Sequence, residues 1–84
     1  MPEIEIGQVN DYFAHVNVAG IELSDTLRVG DTIRIHGHTT DLQFVVSSMQ
    51  IEHDNVTEAK AGASIGVKVS ERVRKGDHVY KVLP

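Results

Sequence analysis

Apolar residues in this chain recur at every second position, and nowhere do they keep a helical spacing over three turns. Ile4 and Ile6 alternate with Glu3 and Glu5, Ile33 and Ile35 with Thr32, Arg34 and His36, and Ile65, Val67 and Val69 with Gly66, Lys68 and Ser70. Successive side chains of a strand point to opposite faces, so this period buries one face of a sheet and wets the other. Residues 42–51 read as one long strand through Phe44, Val45 and Val46, and residues 79–83 as a last one. Between Val16 and Leu23 the apolar parity changes near Gly20, which predicts a bulge or a sharp corner there. Residues 55–60 have room for one helical turn at most.

Glycine punctuates the pattern. It opens a new strand at Val29-Gly30-Asp31, at Ala61-Gly62-Ala63 and at Lys75-Gly76-Asp77, where a positive φ would let the chain reverse in a tight space. Six or so short strands with such turns predict an all-β barrel or sandwich. A chain of 84 residues has a small core, and closing the sheet would remove its exposed edges. One domain over 1–84 is the expectation, with no visible linker.

Twelve acidic residues against eight basic ones give a formal charge of −4, which argues against a general nucleic-acid binder. Arg72, Arg74, Lys75 and Lys81 form a local basic stretch that reads as a solvated strand end. No cysteine is present, so no disulfide, thiolate metal site or thiol nucleophile is expected. The start Met-Pro-Glu-Ile reads as neither a signal peptide nor a membrane span, which makes the cytoplasm the expected location.

Reactive constellations are sparse. Neither Gly-x-x-x-x-Gly-Lys-[Ser/Thr] nor Gly-x-Gly-x-x-Gly occurs, so no nucleotide chemistry and no cofactor is expected. His36 and His38 have the spacing of two metal ligands on one strand, but Gly37 between them signals a turn, with Asp41 the only third ligand nearby. Ser47 or Ser48 with His53 and Asp54 would need side chains five or six residues apart to meet, about 17–20 Å on an extended strand. Glu3 and Glu5 share a face without any sign of the burial that would raise a carboxylate pKa. Tyr12 and Phe13 lie in a stretch expected to turn between the first two strands, where one could anchor a partner and the other plug an end of the barrel.

The runs Leu27-Arg28-Val29-Gly30-Asp31-Thr32-Ile33-Arg34-Ile35, Ser48-Met49-Gln50-Ile51-Glu52-His53 and Glu58-Ala59-Lys60-Ala61-Gly62-Ala63-Ser64-Ile65-Gly66-Val67 resemble domain 2 of translational GTPases such as elongation factor Tu. Gly7-Gln8-Val9 and Arg74-Lys75-Gly76-Asp77 are similar to the opening and closing segments of that domain. Over its whole length the chain resembles small stand-alone elongation-factor-like proteins. The resemblance implies a six-stranded Greek-key β-barrel of the translation-factor domain 2 type. It also implies a non-catalytic binding module whose partner is a protein or ribonucleoprotein linked to translation. The contact surface it implies runs through Gln50, Ile51, Glu52 and His53, with the Gly62 turn beside them. Gln50 stands where the bacterial factor has a glutamate, and His53 where it has an arginine, which alters hydrogen-bond polarity and anchoring. Two alternatives stand beside this reading: an RNA-end binder meeting a tRNA acceptor, and the accessory barrel that ends some U32-type peptidases. No metal site, no membrane partner and no covalent chemistry are expected.

Overall fold

A computed structural model describes residues 2–84. It contains ten strands and no helix among the described residues: β1 (Glu3–Phe13), β2 (Val18–Leu23), β3 (Leu27–Arg28), β4 (Thr32–His36), β5 (Asp41–Val45), β6 (Met49–Ile51), β7 (Asp54–Val56), β8 (Glu58–Ala59), β9 (Ser64–Lys68) and β10 (His78–Val82). Eight of them form one antiparallel sheet in the order β5-β4-β10-β1-β2-β9-β6-β7, and β3 pairs with β8. The all-β expectation holds. The six-stranded closed barrel does not: β5 and β7 end the ladder without pairing to each other.

The alternation explains the core. Ala19, Ile21 and Leu23 of β2, Ile33 and Ile35 of β4, Ile65 and Val67 of β9 and Val79 of β10 all turn inward and are buried. Truncating one of these, such as the fully buried Ile21, removes the transfer energy and leaves a cavity, a loss of about 2–5 kcal/mol. Residues 42–51 do not form one strand. Val46 is buried and its N–H donates to the Asp31 carbonyl, so the chain leaves β5 and re-enters the sheet as β6. Residues 55–60 form no helical turn and contribute to β7 and β8. The bulge foreseen at Gly20 lies on the neighbouring strand. Between Val9 and Asp11 the β1–β2 register shifts, leaving Asn10 as the extra residue opposite Gly20, while β2 keeps its parity. What changes near Gly20 is the apolarity of the outer face, where Val18 sits partly exposed.

Gly30, Gly62 and Gly76 have φ of 99°, 91° and 89°, as the turn reading required. At Arg28–Asp31 and Arg74–Asp77 the first carbonyl accepts the N–H of the aspartate, at 3.0 and 3.1 Å. The aspartate Oδ2 accepts the arginine N–H in return, at 2.9 Å in both turns. With glycine third and left-handed, both turns have the type II pattern. Lys60-Ala61-Gly62-Ala63 repeats the backbone bond at 3.0 Å, but alanine replaces the bracing aspartate.

Candidate functional site

One open groove of about 890 Å³ lies on the outer face of β1, β2, β9 and β6, a volume in the usual range for ligand sites. Register builds its floor. Asp11 faces Gly20 across β1–β2, Gly20 faces Gly66 across β2–β9, and Gly66 faces Gln50 across β9–β6. Side chains normally cover the outer face of a sheet, but neither member of the Gly20–Gly66 pair carries one: Gly66 stays partly exposed, which lets a ligand approach its backbone closely, while Gly20 is buried. The β1 bulge then aims side chains over that floor. A Cβ on Gly20 would lie 2.7 Å from Asn10 Oδ1 and 3.4 Å from Asp11 Cβ, so both polar residues overhang the same glycine.

The rim has two unlike ends. Phe13 and Val16, from the hairpin tip between β1 and β2, are 43% and 47% exposed and line the groove beside Val18 and Lys68. Four residues further along β2, Glu22 pairs in register with Ser64, and Ser64 lines the groove together with Glu52. Among the described residues, Asp11, Glu22, Glu52 and Lys68 form no ion pair. Asp11 instead accepts the N–H of Tyr12 at 2.8 Å.

Of the residues that the sequence singled out, Gln50, Glu52 and His53 line this groove. Gln50 Nε2 donates to Asn55 Oδ1 at 3.2 Å, its cross-strand partner on β7. Ile51 packs half-buried against the core. Gly62 is absent from the lining; its N–H donates to the Leu23 carbonyl at the far end of β2. Glu52 and His53 form the two-residue turn between β6 and β7, with φ of 50° and 69°. Such turns favour Asn-Gly because both residues are left-handed, and for other residues each left-handed position costs about 1 kcal/mol or more. The strain holds Glu52 and His53 at the groove edge.

The other marked residues are placed elsewhere. Phe13 is exposed on the groove, whereas Tyr12 packs against the core with Arg72 5.9 Å from its ring centre. Both belong to β1, and the chain turns only at residues 14–17. His36 lies opposite His78 on β10, while His38 falls in the turn beyond β4, so His36 and His38 share no strand. Among the described residues, no three His, Asp or Glu side chains are grouped to hold a metal ion. The basic stretch is dispersed. Arg72 faces Tyr12, Arg74 Nε donates to Thr39 Oγ1 at 2.9 Å, and Lys81 Nζ lies 3.5 Å from Asp31. Among the described residues, no helix is long and apolar enough to cross a membrane. Gly66 and the Asn10–Asp11 overhang were not singled out from the residues alone, and Gly20 was marked there only as a bulge or corner. Gly66 alternating with Ile65 and Val67 was the readable signal, a glycine on the wet side of a strand.

No protein-family model matches the chain. An uncharacterised protease of Methanocaldococcus jannaschii is 51% identical over 79 residues, which is 93% of this chain and 19% of that protein. Two collagenases of Porphyromonas gingivalis are each 35% identical, over 81 and 78 residues, covering 94% and 90% of this chain. The chain thus spans about a fifth of the length of these relatives. Among solved structures, the C-terminal domain of a Geobacillus thermoleovorans protein assigned to the U32 peptidases superposes with a TM-score of 0.87 at 17% identity. The superposition covers 93% of this chain and 91% of that one, and at such identity it establishes the fold. The selenomethionine variant of that domain gives 0.86. These findings overturn the resemblance to translation factors and, with it, the link to translation. Three of the five runs that suggested it contain the turns at Gly30, Gly62 and Gly76, whose sequences report how a small β-fold reverses direction.

Proposed function

We propose that this chain is an accessory domain of the U32-peptidase type, a module that binds polypeptide while bond cleavage takes place elsewhere. The observation that carries this reading is the match over 93% of the chain to one fifth of a protease, together with the fold of a U32 C-terminal domain. The site agrees with it: a glycine-floored groove offers area and hydrogen-bonding groups, and Ser48 and His53 at its edge have no hydrogen bond between them. A cytoplasmic location belongs to the same reading, and the cysteine-free composition fits a reducing compartment.

The test is a graft. The chain replaces the corresponding fifth of the Methanocaldococcus jannaschii relative, and hydrolysis of fluorescent gelatin is compared with the isolated chain and the truncated relative. The graft is expected to restore the activity lost on truncation, with no hydrolysis by the chain alone. Hydrolysis by the isolated chain would overturn the reading, as would a graft no better than the truncated protein.

A further inference from the structure

We infer that the groove takes an extended polypeptide segment carrying a basic side chain at one end and an apolar one at the other. The inference deepens the accessory-domain reading and rests on it for its biological setting. Charge complementarity selects the occupant. At the Ser64 end, Glu52 lines the groove and Glu22 stands just beyond it, in register with Ser64 and lining the adjoining depression; neither has an ion-pair partner among the described residues, and Asp11 overhangs the middle of the floor. Phosphate would be repelled there, so a nucleic-acid strand is disfavoured, whereas a lysine or arginine would find two carboxylates. At the other end, Phe13, Val16 and Val18 offer apolar surface to a non-polar side chain.

Val18 and Glu22 are four residues apart on one strand face, about 13 Å. An extended peptide covers the same distance with side chains at i and i+4 on one side. Gly66, partly exposed and without a side chain, lies between the two ends, where the peptide backbone can settle onto the sheet. Glu52 is kept in a strained left-handed turn that Asn-Gly would occupy at less cost, as expected if its side chain does work there.

The probe is a heptapeptide with arginine second, phenylalanine sixth and serine at the remaining positions, titrated into the 15N-labelled chain. The expected result is amide shifts at Gly20, Gly66, Ser64 and Glu52. Replacing the arginine by glutamate is expected to weaken binding about tenfold or more, the effect of two exposed ion pairs. Glu22→Gln with Glu52→Gln is expected to do the same without moving the melting midpoint. Absence of shifts at millimolar peptide would overturn the inference. Shifts confined to the β4–β5 side, equal binding of the glutamate peptide, or tighter binding of an oligouridylate would do so too. A peptide that binds while the graft fails would sink the accessory-domain reading alone, and an active graft without peptide binding would sink this inference alone.

Discussion

The two halves of the outer sheet surface dispose of their charge differently. On the β1–β10–β4–β5 side, Arg34 bonds Asp41 at 2.9 Å and Glu3 at 3.4 Å, and His78 meets Glu5 at 2.7 Å. On the β1–β2–β9–β6 side, no groove-lining residue belongs to an ion pair among the described residues, and two glycines face each other on the floor. The first surface pairs its charges with one another, while Asp11, Glu52 and Lys68 on the second have no ion-pair partner among the described residues. Burial is alike beneath both, since Ile35 and Val79 under one are as enclosed as Ile21 and Val67 under the other. The contrast therefore lies in the outer surface and not in the core beneath it.

Glycine substitutions test that distinction most sharply. A Cβ on Gly7 would collide with the backbone carbonyl of Glu22, which cannot swing aside. Gly7→Ala is expected to cost about 3 kcal/mol in urea denaturation. A Cβ on Gly66 would meet only Val18 Cγ1, at 3.2 Å. Gly66→Ala is expected to change stability by less than about 1 kcal/mol, because relief of strand glycine entropy offsets a mild contact. Equal losses for the two variants would show that the groove glycines serve packing.

Between these lies the Glu52–His53 turn. Replacing the pair with Asn-Gly is expected to stabilise the chain by about 1–2 kcal/mol while weakening whatever the groove binds. A destabilised double variant would mean that the left-handed turn is already relaxed.

The smallest effect is expected on the ion-paired side. The hydrogen bond from Arg34 lowers the Asp41 pKa, opposed by desolvation and reinforced by the charges of Arg34 and His36. A carboxylate with a depressed folded pKa adds stability above its ordinary value of about 4 and loses it as pH falls through the folded value. Asp41→Asn is expected to flatten a shallow acid dependence below about pH 4, read from thermal midpoints, and to leave groove binding intact. Arg34 is raised chiefly by the same hydrogen bond, so its contribution persists throughout the neutral range.

Much of this was legible in the residues themselves. Period-two alternation located the inward faces of β2, β4, β9 and β10, and the three turn glycines reported their positive φ, because both depend on chemistry within a few residues. Closure and strand count were not legible. The break at Val46 arises from a backbone bond to Asp31, 15 positions away in the sequence. The groove was half legible: Gln50, Glu52 and His53 were marked only through a likeness to translation factors that the comparisons overturn. Its floor went unseen because Gly20 and Gly66 become a pair only in the β2–β9 register.

The direct test of the groove as the working surface is steady-state kinetics of the grafted peptidase carrying Gly66→Val. A side chain on the floor should raise KM for gelatin about tenfold, with kcat unchanged and the chain still folded, and Arg34→Ala should alter neither constant. A fall in kcat at constant KM, or a larger KM effect from Arg34→Ala, would contradict it.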